Sequence, residues 1–388
     1  MKNFILIFSV YCCLISTVAA QNSAHNGWDL VDKPVKRAHW SWQNYALKSE
    51  LEQDAYLDFC ANKSIVDIYL FCIPTWQSKT LRNGEIGSEE KQQKIASFIK
   101  KANSRGVKVW ALYYSFLKPK FKPNGEPELR PSGRQKYSLD YMGKTSKKEH
   151  LKAAKTIMDA IGKFNLKHPK SGFHGVQFDQ EPRSTEYLKH YLDYCKTATK
   201  RVAYWNKKLI KKNARPFVHS AALRPSWVTR TKITYNGSTN YVAYHYMKFS
   251  KHGTLMNYTS NSKRFIKQGE TLLRWAQELG TDKFVAIGVE TDNIVGEWKS
   301  AKSETYYDEI ASENNLTRFN TFESHLYNAE QHFLKFKSYD RIAIHSAGYI
   351  EHWFKGIRDF KTIGRAPKNT SFSNLNDDAS PRAIIINY

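Results

Sequence analysis

Gly175-Val176-Gln177-Phe178-Asp179-Gln180-Glu181-Pro182 is the stretch on which the reading of this sequence turns. Successive side chains of an extended strand leave on opposite faces. Val176 and Phe178 therefore share one face, while Gly175, Gln177, Asp179 and Glu181 share the other. Bulky apolar residues on one side and small or polar ones on the other suit a strand covered by helices outside and facing a barrel axis inside. Two more stretches repeat the pattern. In Phe284–Glu290, Val285, Ile287 and Val289 point out while Ala286, Gly288 and Glu290 point in. Near the end of the chain, Ile342 and Ile344 point out, with Ala343 and His345 inward. All three runs finish on an inward polar residue at the C-terminal side, where such barrels carry their chemistry.

Working outward, the periodicity predicts eight strands, at 37–42, 65–73, 107–115, 172–179, 217–221, 241–247, 284–290 and 341–345. Amphipathic stretches near 48–61, 88–105, 147–169, 184–212, 262–280 and 321–339 fall between them. Strands alternating with helices predict a parallel sheet, because parallel neighbours need crossover connections. Eight units over this length predict an α/β fold, a (β/α)8 TIM barrel with long βα loops, formed by one domain over 21–388. An open doubly wound sheet is the competing architecture, but no glycine-rich phosphate loop follows any strand. The segments 115–146 and 291–320 and the tail from 355 exceed ordinary loop length.

The first twenty residues read as a secretory signal peptide. Lys2 precedes an apolar run to Val18, and Val18 and Ala20 supply the small residues for cleavage before Gln21. The expected location is therefore secreted and extracellular. Sequons at Asn62, Asn236, Asn257, Asn315 and Asn369 fit a glycoprotein. No apolar run after the leader is long enough to span a membrane. Cleavage leaves Cys60, Cys72 and Cys195, too few for a disulfide framework, with a Cys60–Cys72 bridge or free thiols both open. No Cys/His spacing resembles a zinc site, so no metal is expected.

Aromatic residues make up 14% of the 388 positions, ample for a buried core, which excludes a disordered or collagen-like chain. The formal net charge is +24. Lysine pairs such as Lys100-Lys101, Lys200-Arg201 and Lys211-Lys212 fall on the polar faces of the expected helices and read as solvated surface. The functional counterpart is an anionic glycan, a matrix or a cell surface rather than nucleic acid, which a secreted protein does not ordinarily meet.

Asp179 and Glu181, two residues apart on one strand face, lie within about 7 Å of each other along the backbone. Two carboxylates that close repel when both are ionised, which favours keeping one protonated. A protonated carboxylic acid is what leaving-group protonation in glycoside cleavage requires. Glu290, ending the seventh strand, is placed to face Glu181 across the mouth as a nucleophile. For an isolated Asp-x-Glu the plain alternative is a structural acidic pair tied to a cation such as Arg183.

The strand count, the Asp179-Gln180-Glu181-Pro182 ending of the fourth strand and Glu290 at the seventh together resemble the (β/α)8 glycoside hydrolases over nearly the whole chain. Two patterns within that group compete. In clan A retaining enzymes the acid/base Glu ends strand four, commonly as Asn-Glu-Pro, and the nucleophile Glu ends strand seven. Glu181 and Glu290 match by position, with Gln180 where the Asn would stand. In family 18 chitinases strand four ends Asp-x-x-Asp-x-Asp-x-Glu, the last Glu being the acid and the preceding Asp orienting the substrate N-acetyl group. Here those positions hold His174, Gln177, Asp179 and Glu181, so only the second half is present.

Either resemblance implies a carbohydrate substrate and no cofactor, since two carboxylates and water suffice; the positive charge and the Lys-rich 115–146 loop narrow the expected substrate to an acidic polysaccharide. The resemblance also implies substrate contacts at Tyr244 or Tyr246, at His345 and Trp353 after the last strand, and at His39 in the first. A Trp face offers the broadest apolar platform for a sugar ring. The competing function is a non-catalytic carbohydrate-binding barrel, lectin-like or of the extracellular matrix, since fold does not dictate function. A metal-dependent nuclease built on Asp179, Glu181 and His345 is the remote third.

Overall fold

The computed structural model describes residues 36–345 except 75–77, 115–117, 120–121, 125, 127–136, 139–145, 183, 260 and 291–325. The expected signal segment and the tail from 355 lie outside the described residues, as does most of the two long loops. Eight parallel strands close into a barrel in chain order: β1 (Arg37–Ser41), β2 (Ile65–Phe71), β3 (Lys108–Tyr113), β4 (Gly175–Phe178), β5 (Val218–Leu223), β6 (His252–Met256), β7 (Phe284–Glu290) and β8 (Tyr339–His345). The last strand pairs back onto β1. The helices around them are α1 (Glu50–Asn62), α2 (Glu89–Ser104), α3 (Lys147–Lys167), α4 (Thr185–Lys211), α5 (Val242–Phe249), α6 (Ser262–Leu279) and α7 (326–333). The fold is a (β/α)8 barrel, as the alternation predicts.

Local chemistry sets the helix starts. Ser49, Ser88, Ser146 and Asn261 precede α1, α2, α3 and α6, and each side chain accepts from the backbone N–H three residues on. Those bonds satisfy amides that the first helical turn leaves without partners. In α2 the buried Ile95, Phe98, Ile99 and Ala102 recur at helical spacing and turn one face to the barrel.

The two faces of β4 differ as its alternation requires. The Phe178 ring packs outward, 4.8 Å from Tyr194 of α4. Gln177 faces inward, accepting from Thr254 Oγ1 of β6 at 3.5 Å across the interior. Gly175 makes room for Trp110, since a Cβ there would stand 2.1 Å from the indole. Trp40, Tyr69, Trp110, Leu112 and Met256, with several alanines, fill the axis, so the barrel is packed rather than open. Near the N-terminal ends of the strands, Asp67 pairs with Arg341 and accepts from Trp110 Nε1 at 2.5 Å.

Two sequence expectations, the sixth strand and the Asn257 sequon, are corrected, and the cysteine question left open is answered. The stretch 241–247 is not the sixth strand; it leaves a short hairpin (Lys232–Tyr235 with Ser238–Tyr241) and becomes α5. Val242, Ala243, His245, Tyr246 and Met247 are all buried in α5, so no single apolar stripe marks it as a helix. The true strand, His252–Met256, carries Gly253 and Thr254 and reads weakly. Cys60, Cys72 and Cys195 are buried and unbridged, and burial pushes the Cys72 thiol up to about 12. Asn257 is buried, its amide donating to the Phe265 carbonyl at 2.7 Å, which rules it out as a glycan acceptor in the folded protein. Asn236, at the hairpin turn, is exposed with a positive φ. The Asn62 side chain and all of Asn315 and Asn369 lie outside the described residues.

Candidate functional site

The C-terminal ends of the strands form the mouth, and β4 delivers its acidic pair there. Asp179 follows directly, its N–H donating to the Tyr113 carbonyl of β3 at 2.9 Å, and its side chain is buried. Glu181 lies two residues further and is 43% exposed, accessible enough for a ligand to reach. Its Oε2 stands 3.7 Å from Nε of Arg224, the first residue after β5. Pro225 follows, and the ring of a proline restricts the residue before it to extended conformations. Arg224 obeys, at φ −71 and ψ 145. Trp227 anchors the short turn that begins there, packing 5.5 Å from Tyr191 of α4. Glu181 thus faces a guanidinium whose backbone is fixed.

An aromatic group with one histidine occupies the same rim. Trp42 Nε1, just past β1, donates to His345 Nε2 at 2.9 Å, which places the neutral ring's own proton on Nδ1. The His345 ring is 5.7 Å from Trp40, 5.6 Å from Trp42 and 5.5 Å from Tyr258, which follows β6. Trp42 also packs at 5.8 Å on Phe71 and 5.1 Å on Tyr114, at the ends of β2 and β3. Aromatic side chains and an accessible carboxylate at the same end of the barrel suit a ring-shaped polar ligand with apolar C–H faces.

Of the other candidates, Glu290 ends β7 beside His345 in the β7–β8 register, two residues past the inward Gly288. Its side chain, and all of Trp353, lie outside the described residues. Three placements are corrected. His39 lies on the outer face of β1, between inward Ala38 and Trp40, with Nδ1 2.6 Å from Tyr56 OH of α1. Burial, with His345 nearby, lowers its pKa to about 3, so it is a neutral packing residue that faces α1 rather than the barrel axis. Tyr246 OH donates to the His252 carbonyl at 2.7 Å, where β6 begins, at the end of the barrel opposite the mouth. Tyr244 rides on α5 and packs 5.8 Å from Trp275 of α6.

Sequence reasoning missed Arg224, Phe71, Tyr114 and Tyr258. A cation before a proline at the end of a strand was a signal for Arg224. Tyr258 was hidden by the misplaced sixth strand. Among the described residues no three His, Cys, Asp or Glu side chains converge to hold a metal ion, and no helix is long and apolar enough to cross a membrane.

Fold and site together define a (β/α)8 barrel with an acidic pair at the C-terminal end of its fourth strand. No protein-family model matches the sequence, and no curated protein sequence does. Among solved structures the chain is similar to the Bacillus cereus spore cortex-lytic enzyme SleL, at 11% identity and a TM-score of 0.44, over 80% of this chain and 70% of that one. A class V chitinase from Nicotiana tobaccum is similar at 14% identity and TM-score 0.40, over 66% and 67% of the two chains. A glycoside hydrolase family 18 N-acetylglucosaminidase from Paenibacillus barengoltzii is similar at 9% identity and TM-score 0.38, over 66% and 68%.

Proposed function

We propose that the chain is a secreted glycoside hydrolase in which Glu181 protonates the leaving oxygen of an O-glycosidic bond in a polysaccharide or glycoconjugate. The observation that carries this reading is the placement of Glu181. It is the accessible member of an acidic pair that follows β4 at the mouth, the barrel end that also carries the Trp42–His345 group. In the step proposed, the Glu181 proton passes to the glycosidic oxygen as the C1–O bond breaks. The positive charge that develops at C1 is met by a second group; water, giving its proton to Glu181, then attacks C1, displaces that group and restores the acid. Asp179, buried beside the donor, orients the substrate. The second group is Glu290 in a two-glutamate mechanism, or the substrate's own N-acetyl oxygen in a substrate-assisted one. The net charge of +24 and the guanidinium at Glu181 favour a substrate with acidic groups.

The test is reducing-end release from a panel of neutral and acidic glycans by the wild type, Glu181→Gln and Glu290→Gln. Glu181→Gln should lose about 10²–10⁴ in turnover, the range ascribed to a positioned proton donor. A matching loss in Glu290→Gln identifies it as the nucleophile, and full activity there assigns that role to the substrate. Tight glycan binding with no turnover by the wild type would establish the non-catalytic barrel instead.

A further inference from the structure

Asp193 is followed by no acidic residue until Glu270. The 76 positions between them, 194–269, hold sixteen cations, eleven Lys and five Arg. The chain as a whole has 60 Lys plus Arg and 36 Asp plus Glu, so the other 312 positions carry 60 minus 16, or 44, cations against 36 acids. Two thirds of the net charge of +24 therefore sits in one fifth of the sequence. Interspersed acids would relieve this repulsion through pairs one helical turn apart; here none exists.

The fold places most of that segment on one side of the barrel, with Arg224 at the mouth and the first turn of α6 at the rim. It covers the second half of α4, β5, the 232–241 hairpin, α5, β6 and the start of α6. Tyr235 OH of the hairpin donates to Asp193 of α4 at 2.8 Å, and Tyr241 stacks 5.2 Å from Trp275 of α6, which joins the three outer elements side by side. On α4, Lys200, Lys207, Lys208 and Lys211 are exposed and recur at one-face spacing. None of these four has an acidic partner among the described ion pairs; Lys208 lies instead 4.5 Å over the Tyr204 ring, with Arg201 4.1 Å from the same ring. Lys232 and Lys248 of the hairpin and α5 are exposed as well, whereas Lys263, Arg264 and Lys267 open α6 at its rim end and lie outside this face.

We infer that this flank is a binding surface for a linear acidic polysaccharide, separate from the mouth. The α4 lysines are well removed from Glu181: Lys200 is fifteen residues past Thr185, roughly 22 Å down the helix from the rim. Helices radiate sideways from a barrel while the mouth opens along its axis, so a chain held on the flank leaves the mouth free. The chemistry favours a polyanion without bases or an apolar phase. Tyr204 and Ile210 are the large apolar side chains exposed on this flank among the described residues, too few for insertion into a bilayer. Single strands of nucleic acid want a series of exposed rings for stacking, and Tyr204 is already covered by cations. Flexible lysines acting as point charges match sulfate or carboxylate groups repeated along a hydrated chain.

The surface is independent of the catalytic reading and is tested without it. Full-length protein on immobilised heparin should bind at about 0.1 M salt and weaken at least about tenfold by 0.5 M, as the screening length shrinks. Lys200→Gln, Lys207→Gln, Lys208→Gln and Lys211→Gln combined should weaken binding about tenfold or more. The same charge removed at Lys94, Lys100, Lys152 and Lys155, exposed on α2 and α3, should cost less than about threefold. Thermal unfolding of both variants establishes that they are folded. Equal losses in the two variants, or none in the first, would overturn the assignment, as would tighter flank-dependent binding to single-stranded DNA or to anionic vesicles than to heparin. Loss of heparin binding with unchanged turnover of a small soluble glycoside separates this surface from the mouth.

Discussion

Arg224 and Glu181 meet at 3.7 Å with both side chains partly in water, 24% and 43% exposed. An ion pair so exposed contributes under about 1 kcal/mol to folding. Its consequence lies at the site, where the proposed acidic substrate would find a guanidinium on a proline-fixed backbone. Replacing Arg224 with Gln should leave the unfolding temperature nearly unchanged. The same change should lower kcat/KM on an acidic glycan about tenfold, the loss of one charge-assisted hydrogen bond, and spare a neutral one. An equal loss on both substrates would assign Arg224 to holding Glu181 rather than to reading charge. His39 shows the opposite case of a polar side chain used for packing. Its place on a strand that also carries Trp40 and Trp42 suggested the mouth, but the period of two turns it outward, against Tyr56. That alternation was available in the sequence, and β4, β7 and β8 were read correctly with it.

At the scale of the elements, seven of the eight strands follow from alternation, because burial on one face and a polar axis on the other leave a periodic trace. The sixth does not. Aromatic and β-branched residues in 241–247 imitate a strand, yet α5 is wrapped by α4, the hairpin and α6 and hides most of its surface. The helix-like pattern disappears when nearly every side is buried, and β6 is short and glycine-bearing. Only tertiary packing separates the two. The barrel's tight interior yields a prediction of its own. Gly175→Ala would drive a methyl group into Trp110, and Gly288→Ala would place one 2.7 Å from the Leu255 carbonyl. Overpacking of this kind costs about 1–3 kcal/mol. Urea unfolding should show each variant destabilised by that amount with an unchanged m-value. Wild-type stability in Gly175→Ala would mean that the Trp110 ring is free to move.

Over the whole molecule, buried imidazoles set the response to acid. Burial is the leading cause that lowers His39, His174 and His219 to about 3 and His252 to about 4, from an ordinary 6.5. These histidines stay neutral in the fold and gain protons on unfolding, so their contribution to stability is present above about pH 6.5 and is lost as pH falls toward 3. Asp340 acts in the other direction. Burial raises it to about 6, so between its ordinary 3.8 and 6 the folded state holds the extra proton. Unfolding at pH 5 then takes up nearly four protons on the histidines and releases nearly one from Asp340, about three in net from these five groups. Denaturation followed from about pH 6.5 to 4.5 should show stability falling steadily with acid, and a flat profile would contradict these burials. The clustering of cations in 194–269 also belongs to this scale. It was legible in the sequence all along, but lysine pairs taken one by one read as ordinary helix surface, and the barrel is what joins them into a flank.

The central claim is that Glu181 donates a proton to a departing sugar oxygen, and its most direct test varies how much that oxygen needs one. On aryl glycosides of graded leaving-group acidity, carrying the sugar the wild type prefers, Glu181→Gln should lose about 10²–10⁴ in kcat/KM on the poorest leaving groups. Its kcat/KM should approach the wild-type value on a dinitrophenyl glycoside, whose phenolate departs unprotonated, since kcat/KM reports the bond-breaking step alone. A loss of the same size across the whole series, or no loss at any leaving group, would contradict the assignment of Glu181 as the acid.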